Sequence, residues 1–367
     1  MSTPTRLEEL IRHRIEVDGP LPLDRYMELC LSHPTLGYYM HGEPIGVGGD
    51  FITAPEISQM FGELIGIWCA NVWQMMGSPE LLRLVELGPG RGTLMADIAR
   101  IAERVPGFAE SVRLHLVETS PTLIQIQQER LAGKGAQWHP AVDAVPEGPC
   151  IILANEFFDA LPIRQFEWRH DGWSERGVGV KADGTLGFGL IPHSAPPPSW
   201  ALPAGPREDG TILEVSEIQT TLAGQVGAHI QAHGGALLII DYGYVEVAYG
   251  DSLQALRMHR SVSPLEDPGD CDLTAHVSFA SLARALRQTG VKVSRALTQA
   301  QFLNALGLTL RAERLKGSAN ERQRAMIDSA AARLTASGPT GMGELFKVLA
   351  AWHPSLPALV PFTSEAL

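Results

Sequence analysis

The feature that most constrains the fold is an apolar strand that leads through a glycine-rich turn into an amphipathic helix. Residues 82–87 read LRLVEL, residues 88–92 read GPGRG, and apolar side chains then recur at helical spacing from Leu94 to Val105. Strands joined to helices in this way build sheets whose strands run parallel. The chain is therefore expected to continue as an alternation of strands and helices.

The alternation continues beyond this unit. Further strands are predicted at 113–118, near 137–138, at 150–155 and at 235–241, and further helices at 121–131 and 217–233. The pattern predicts an α/β fold with a doubly wound, mostly parallel sheet. Three parts of the chain follow from it: an N-terminal helical extension with a glycine-rich loop at 1–80, the core at 81–300 and a C-terminal helical segment at 301–367.

Two regions depart from the alternation. Turn signals at 170–172 and 182–184 lie between short alternating runs. They predict a β-rich insertion at about 163–215, after the fourth strand and at the edge or rim of the sheet. From residue 277 onward the chain is expected to be mostly helical, with one more strand from Lys292 to Leu297.

The glycine-rich turn is a candidate cofactor site. Residues 86–92 have the spacing E-x-G-x-G-x-G, and Thr93 stands where a dinucleotide-binding loop would have its third glycine. S-adenosylmethionine enzymes use this spacing, together with an acid after the next strand that binds the ribose. The predicted cofactor-binding residues are Glu86, Gly88, Gly90, Gly92 and Glu118. A plain tight turn is the alternative.

Two residues after the third strand are weaker candidates for the same cofactor. Trp138 and Asp143 could flank the adenine ring. For Trp138 the alternative is packing in the core, since that is the commonest role of a large aromatic side chain.

The exit of the fourth strand carries polar side chains where a buried strand would be expected to end. Asn155 and Glu156 should face the same crevice as the glycine turn, because ligands bind at the carboxyl ends of the strands in such sheets. The Glu156 carboxylate suits a guanidinium, which is planar and donates two hydrogen bonds at once. Phe157 or Phe158 could wall the site, and Asp159 is a further candidate. Alternatively, Glu156 caps a helix, Asp159 caps the next turn and the phenylalanines belong to the core.

A second polar cluster lies further along the chain. Its members are Asp270, Asp272, Thr274 and His276. His276 could accept a proton if it lay near Glu156, and pinning of a loop is the alternative. A metal site is not expected from so few Asp and His residues. Asp241 and Tyr242 end the fifth strand, and both substrate contact and structural use are open for them.

Composition narrows the classes of partner. The net charge is −12, which argues against nucleic acid because phosphates require a basic face. The most apolar window, 57–76, is interrupted by Gln59, Glu63 and Asn71, so a core helix is expected there rather than a membrane span. The four cysteines form no CxxC pair and are expected to be reduced, buried thiols of a cytosolic protein.

Several sequence blocks resemble a known family. They are GGDFITAPEISQMFGE (48–63), VELGPGRGTLMADIAR (85–100), LVETSPTLIQIQQ (116–128), ANEFFDALPIRQF (154–166), DYGY (241–244), GDSLQALRMH (250–259) and CDLTAHVSF (271–279). These blocks are similar to the MidA family of S-adenosylmethionine-dependent methyltransferases, which includes the mitochondrial complex I assembly factor 7. The resemblance implies a class I, Rossmann-like methyltransferase fold and symmetric dimethylation of an arginine in a core subunit of respiratory complex I.

The resemblance also implies residue roles and a location. Asn155 and Glu156 would face the methyl group, and the loop GDFITAP, with Asp50 and Thr53, would close over the cofactor. No transit peptide is visible, so a bacterial, cytoplasmic member is expected.

Three functions remain open from the sequence. The favoured one is a protein-arginine methyltransferase that uses S-adenosylmethionine and takes a protein substrate, with neither nucleic acid nor membrane as a partner. The second is a non-catalytic assembly chaperone on a methyltransferase fold. The third is a methyltransferase of another substrate, such as lysine or a small molecule. A nicotinamide dehydrogenase is disfavoured by Thr93.

Overall fold

The structure is a computed structural model that describes residues 5–40, 53–170, 172–338 and 341–362. Its strands are, in chain order, β1 (Leu21–Pro22), β2 (Leu82–Leu87), β3 (Val112–Val117), β4 (Gln137–His139), β5 (Cys150–Asn155), β6 (Arg164–Arg169), β7 (Gly172–Val180), β8 (Leu186–Leu190), β9 (Ile212–Val215), β10 (Gly235–Tyr244), β11 (Gln254–Arg257), β12 (Arg260–Val262), β13 (Asp272–Thr274), β14 (Val277–Ser278), β15 (Lys292–Val293), β16 (Leu297–Thr298) and β17 (Phe346–Trp352).

The α-helices are, in chain order, α1 (Arg6–Asp18), α2 (Leu23–Ser32), α3 (Ala54–Ile57), α4 (Gln59–Met75), α5 (Thr93–Ala102), α6 (Phe108–Ser111), α7 (Pro121–Arg130), α8 (Glu217–His233), α9 (Phe279–Arg287), α10 (Gln299–Ala305), α11 (Leu308–Lys316), α12 (Glu321–Leu334) and α13 (Met342–Leu345). The strands and helices predicted between residues 82 and 155, and the helix and strand at 217–241, are confirmed with ends that differ by a few residues.

The central sheet has the strand order β15-β17-β10-β5-β2-β3-β4. From β4 to β10 the neighbouring strands are parallel, as the alternation of strands and helices predicted. The chain starts this sheet at β2, builds outward through β3 and β4, and then returns to the other side of β2 with β5 and β10. The carboxyl ends of β2 and β5 therefore flank a topological switch point, which is where ligands bind in open α/β sheets.

The C-terminal tail contributes a strand that the sequence pattern did not predict. β17 runs antiparallel to β10 over its whole length and also pairs with β15 and β16. The strand predicted from Lys292 to Leu297 is divided into β15 and β16, and the prediction of a mostly helical tail was wrong for β17. Apart from Lys347, residues 346–352 are apolar, and they are buried on both faces of the strand, so they show no two-residue period that would mark it.

The β-rich insertion that was expected at the edge or rim of the central sheet is confirmed, and it adds no strand to that sheet. It forms a separate sheet with the order β1-β7-β6-β9, and β8 pairs with β7. Leu21 and Pro22 of the N-terminal extension supply β1, opposite Val178 and Gly177. The extension and the insertion therefore share one sheet and one small core, which contains Tyr26 and Val178.

Helices cover both faces of the central sheet. α4, α5 and the C-terminal helices pack on one face around Trp68 and Leu84, and α8 and α9 pack on the other around Ile230 and Val85. Among the described helices, none combines the length and the hydropathy that a membrane crossing requires. All four cysteines are free and buried, as predicted.

Candidate active site

A cavity of about 490 Å³ opens at the carboxyl ends of β2, β3 and β5, and we call it cavity 1. Its volume is within the range of sites that hold cofactors. The predicted site residues that line it are Thr53, Glu86, Gly88, Gly90, Glu118, Asn155 and Glu156, and Asp143 lines it as well. Asp50, which was predicted to bind the cofactor, lies outside the described residues.

The turn between β2 and α5 requires glycine for two separate reasons. Gly88 has a φ of 57°, and a Cβ atom added there would lie 2.5 Å from Cδ2 of Phe157. Gly92 has a φ of 73° and occupies the N-cap position of α5. The backbone of the turn can therefore follow a path that brings it against a bound molecule, and the ring of Phe157 walls cavity 1 beside it.

Glu86 places a carboxyl group with an unused oxygen at the edge of cavity 1. The residue is 3% exposed, and its Oε2 makes no hydrogen bond to the described residues. Burial raises the pKa of Glu86 to about 8, and the backbone N–H of Met95 offsets only part of that rise. A buried oxygen without a partner is costly, so this group is suited to a donor that a ligand brings.

Glu118 is held by hydrogen bonds that also reach the glycine turn. Its Oε1 accepts from the backbone N–H groups of Thr119 and Ser120, each at 2.8 Å, and its Oε2 accepts from Nε2 of Gln127 at 3.1 Å. The same Nε2 donates to the carbonyl of Gly90 at 2.7 Å. Gln127 was not predicted as a site residue, although its position four residues after the buried Leu123 on α7 marked it as inward-facing.

Trp138 lies in a different place from the one predicted. It does not line cavity 1 and instead packs against the core, with Nε1 donating to Oε1 of Gln127 at 2.8 Å. The alternative of core packing thus describes its surroundings.

Glu156 is held in an unusual backbone conformation at the exit of β5. Its φ is 50°, a region that residues other than glycine rarely adopt. Its Oε1 accepts hydrogen bonds from the backbone N–H of Ala54 at 2.8 Å and from Nδ2 of Asn155 at 3.2 Å. No helix begins at Phe157, so the interpretation of Glu156 as a helix cap was wrong. Burial raises the pKa of Glu156 to about 8, and the nearby Asp159 adds to the rise.

Asp241 holds the turn that carries Glu156. Its Oδ2 accepts from the backbone N–H groups of Phe157, Phe158 and Asp159, at distances of 3.0 to 3.3 Å. Its Oδ1 accepts from the N–H of Tyr242 at 2.9 Å. Asp241 is fully buried, and burial together with its carboxyl neighbours raises its pKa well above the ordinary value. Of the two roles left open for Asp241, the structure therefore supports the structural one.

A second cavity, of about 400 Å³, is also lined by Glu156, and we call it cavity 2. Glu156 is the one described residue that lines both cavities. Asp159 lines cavity 2 only, and burial raises its pKa to about 6, which contact with the Tyr242 hydroxyl partly offsets. Asp272 and Thr274, predicted as a polar cluster, line cavity 2 as well.

The remaining residues of that polar cluster lie away from both cavities. The ring of His276 packs edge-on against Tyr242, with 5.5 Å between the ring centroids, and His276 lines neither cavity. Burial lowers its pKa from the ordinary value. The proton transfer predicted between His276 and Glu156 has no direct contact in this arrangement. Within the described part of the chain, no three His, Cys, Asp or Glu residues are grouped so as to hold a metal ion.

The N-terminal extension forms one wall of cavity 1. Tyr39, Thr53 and Glu56 line it, and the hydroxyl of Tyr39 donates to Oδ1 of Asp272 at 2.7 Å. The Glu56 carboxylate accepts a hydrogen bond from the Thr93 hydroxyl, which ties α3 to the start of α5. A molecule in cavity 1 would therefore be enclosed by the extension as well as by the central sheet.

The lining of cavity 1 fits a cationic cofactor that carries an amino acid group and a ribose. Glu86 and Asn155 each have a buried side-chain oxygen without a hydrogen-bond partner among the described residues. Those oxygens suit the donors of an ammonium group, and the Glu118 carboxylate suits two ribose hydroxyls. The carboxyl groups of Glu86 and Glu156 would also balance a positively charged sulfur.

Comparisons with known proteins agree with this fit. A family model described as "Putative S-adenosyl-L-methionine-dependent methyltransferase" matches residues 64–297. A protein arginine methyltransferase named NDUFAF7, mitochondrial, from Danio rerio is 35% identical over 93% of this chain and 86% of its own length. The homologue of the same name from Drosophila melanogaster is 36% identical over 94% of this chain and 84% of its own length. A crystal structure of a Burkholderia thailandensis protein bound to S-adenosyl-homocysteine superposes with a TM-score of 0.86 at 26% identity, covering 100% of this chain and 99% of that one.

The same comparisons correct one expectation. The absence of a visible transit peptide predicted a cytoplasmic location, but the curated relatives are named as mitochondrial proteins. The prediction of a cytoplasmic location was therefore wrong, because a missing leader pattern is weaker evidence than identity to these relatives over most of the chain.

Proposed function

Because this chain belongs to the S-adenosyl-L-methionine-dependent methyltransferase family whose model it matches, we propose that it methylates arginine side chains of a protein. The family resemblance, the class I fold and the S-adenosylmethionine cofactor that were expected from the sequence are confirmed. The choice of arginine is the proposal. It is supported by the relatives from Danio rerio and Drosophila melanogaster, which are named as protein arginine methyltransferases.

The observation that carries the proposal is the position of Glu156 between the two cavities. A carboxyl group that lines both can contact a cofactor on one side and an acceptor on the other. A guanidinium matches a carboxylate with two parallel hydrogen bonds, whereas an ammonium offers single, less directed ones. Glu156, Asp159 and Asp241 are neighbouring carboxyl groups whose pKa values are raised, and the permanent charge of a bound guanidinium would favour their ionised forms.

The residues then have distinct parts in the proposed reaction. Glu86 and Glu118 hold the cofactor, and the turn containing Gly88, Gly90 and Gly92 gives it room. The cofactor supplies an electrophilic methyl group and keeps the electron pair of the broken S–C bond as S-adenosylhomocysteine. Glu156 orients the guanidinium and accepts the proton that the newly methylated nitrogen loses, so it acts in its charged form.

A finer proposal concerns the product and the target. The resemblance to the MidA family supports symmetric dimethylation of an arginine on a subunit of respiratory complex I or on a related protein. The division into an N-terminal extension at 1–80, a core at 81–300 with its insertion, and a tail at 301–367 is retained as a proposed domain organisation, in which the tail also supplies β17 to the core sheet.

The test is transfer of a radiolabelled methyl group into protein. The purified protein and labelled S-adenosylmethionine are incubated with extract from cells that lack the gene, and the labelled proteins are hydrolysed to amino acids. We expect labelled symmetric dimethylarginine. Label found in lysine or in small molecules would show that these, and not arginine, are the methyl acceptors. Absence of label, with cofactor binding measured in parallel, would favour the non-catalytic chaperone.

A further inference from the structure

We propose that cavity 2 is the acceptor site, a pocket for a guanidinium side chain that reaches Glu156 from the side opposite the cofactor. This proposal rests on the proposed function and adds to it where the substrate binds. Glu156 is the one described residue that cavity 1 and cavity 2 have in common. The two cavities therefore meet at the carboxyl group that the proposed reaction requires.

The charges in cavity 2 suit a cation. Glu156, Asp159 and Asp272 line it, and the one cationic side chain among its described lining residues is the exposed Arg333. Buried carboxyl groups close to one another are costly without a positive partner. A guanidinium would supply that partner, and its planar donors can reach more than one carboxyl group at once.

Asp159 has an unused oxygen in this pocket. The residue is 6% exposed, and its Oδ1 makes no hydrogen bond of normal geometry to the described residues. Its backbone N–H donates to Asp241 at 3.3 Å and its carbonyl accepts from Ala275 at 3.0 Å, so its main chain is held on both sides. A carboxyl group whose main chain is held in place and which has one unpaired oxygen can accept a further hydrogen bond from a ligand.

The walls of cavity 2 fit the planar head and the apolar stem of an arginine. Tyr242 and Phe346 line it, with their rings edge to face at a centroid distance of 5.4 Å. Aromatic rings favour a guanidinium at their faces and also pack against a hydrocarbon stem. Leu256 of β11 lines the cavity as well. Phe346 begins β17, so the C-terminal tail forms part of the pocket and contributes to the choice of acceptor.

The experiment measures binding rather than turnover. The probe is Nα-acetyl-arginine N-methylamide, titrated calorimetrically into the full-length protein saturated with S-adenosylhomocysteine, and the neutral citrulline analogue of the same shape is the comparison ligand. We expect the arginine probe to bind and the citrulline analogue to bind at least about tenfold more weakly, because it lacks the charge and donors that the carboxyl groups require.

Two variants locate the probe. Asp159→Asn should weaken binding of the arginine probe about tenfold or more and leave affinity for S-adenosylhomocysteine within about twofold. Leu256→Trp should obstruct cavity 2 and have the same pattern of effects, because Leu256 is only half-buried and the larger ring can be accommodated without loss of the fold. Asp183→Asn, in the exposed turn between β7 and β8, is the matched control and should change neither affinity.

A reciprocal variant completes the design. Ile218→Trp replaces an exposed apolar residue that lines cavity 1. The variant should bind S-adenosylhomocysteine more weakly than wild type. When S-adenosylhomocysteine is saturating, its affinity for the arginine probe should change by no more than about twofold.

The outcomes separate this proposal from the proposed function. If the wild-type protein methylates arginine but Asp159→Asn and Leu256→Trp bind the probe as tightly as wild type, cavity 2 is not the acceptor site and the function stands. If binding of the probe requires Asp159 and Leu256 but no methylated arginine forms, cavity 2 is a guanidinium site and the proposed arginine methylation is wrong. Failure of the wild-type protein to bind the probe at millimolar concentration also overturns the proposal.

Discussion

Three carboxyl groups lie close together at the exit of β5: Asp159 and Asp241 are buried, and Glu156 is half-buried. Burial raises the pKa of Glu156 to about 8, that of Asp159 to about 6 and that of Asp241 well above its ordinary value, and neighbouring carboxyl groups add to the rise for Glu156 and Asp241. Asp241 is committed to backbone N–H groups, whereas Glu156 and Asp159 line a cavity. At the residue scale, this is a site whose negative charge is costly until cations arrive.

Replacement of Glu156 by Gln tests the proposed chemistry. The amide cannot accept a proton or pair with a guanidinium as a carboxylate does, so we expect the rate of methyl transfer to fall about 10²- to 10⁴-fold. Affinity for S-adenosylmethionine should stay within a few-fold, because Glu86, Glu118 and the glycine turn remain. Single-turnover transfer and calorimetric binding measure the two quantities. Retained turnover in this variant would remove Glu156 from the mechanism.

The pH dependence of activity should follow the same group. Because the pKa of Glu156 is about 8 and its charged form is needed, kcat/KM should rise about tenfold per pH unit on the acid side and level off above about pH 8. The dependence is measured with a saturating cofactor concentration over the range in which the protein stays folded. A flat profile between about pH 6 and 9 would show that the reaction does not require deprotonation of Glu156 in this range.

Glu86 predicts a pH dependence of stability. Its folded-state pKa of about 8 exceeds the ordinary value of 4.5, so the folded protein keeps a proton that the unfolded chain releases. Stability is therefore lost as the pH rises from about 4.5 to 8, by up to about 1.4 kcal/mol per pH unit. Glu86→Gln should remove this loss and make the cofactor-free protein more stable than wild type at about pH 9, on the order of 3 kcal/mol, with little difference at about pH 4.5. Urea unfolding at both pH values measures it, and equal stability at pH 9 would contradict the assignment.

At the scale of elements, α7 fastens the cofactor turn to the next strand. Gln127 is fully buried and connects the carbonyl of Gly90, the carboxylate of Glu118 and the indole of Trp138. The turn after β2 and the acid after β3 are thus fixed relative to each other by one side chain. A binding site that spans two strands depends on such a link, because positional errors of the two strands would otherwise add.

Replacement of Gln127 by Ala should separate these groups. We expect cofactor affinity to fall about tenfold and the free energy of unfolding to fall by about 2 kcal/mol, because buried partners lose their hydrogen bonds. Gln128→Ala removes the same atoms from the exposed neighbour and should change neither quantity by much. Calorimetric titration with S-adenosylhomocysteine and urea unfolding measure both. Similar behaviour of the two variants would show that Gln127 does not organise the site.

At the scale of the whole molecule, both ends of the chain return to the site. The N-terminal extension lines cavity 1 and shares a sheet with the insertion, and the C-terminal tail lines cavity 2 and adds β17 to the central sheet. Arg311 of α11 holds the C-terminal helices to the core by two hydrogen bonds to Glu63 of α4, at 2.7 and 2.9 Å. Glu63 is 3% exposed, so this carboxylate depends on its partner.

Removal of that partner should loosen the C-terminal helices. We expect Arg311→Ala to lower the free energy of unfolding by about 2–3 kcal/mol, since it leaves a buried carboxylate unpaired. Arg314→Ala, at an exposed position of the same helix, is the matched control and should stay within about 0.5 kcal/mol of wild type. Equal stabilities of the two variants in urea would show that the ion pair does not secure the tail.

Local sequence signals were sufficient for much of the fold and for part of the candidate site. Residue types and hydrophobic periodicity predict the strand, the glycine turn and the helix at 82–105 to within a few residues. The acid that follows β3 is predicted in the same way. The chain order of these elements then requires that their carboxyl ends meet at one edge. For that reason Glu118 and Glu156 could be placed at one crevice before any contact was known, although their roles stay predictions.

The features that could not be predicted depend on contacts between distant parts of the chain. β17 has no strand period because it is covered on both faces, and β1 exists only because two residues meet β7 about 155 residues later. Cavity 2 is formed by the turn after β5, by β10, β11 and β13, and by the C-terminal tail together.

By itself, then, the sequence determined an alternating α/β core, a turn that only glycine can make and acids at the strand ends, because each of these is a property of neighbouring residues. Only the tertiary structure decided that Trp138 donates a hydrogen bond to Gln127, that Asp241 accepts hydrogen bonds from backbone N–H groups and that Glu156 lines two cavities. Burial, unused hydrogen-bonding capacity and raised pKa values arise from the surroundings that the folded chain builds, and no local pattern of residues specifies them.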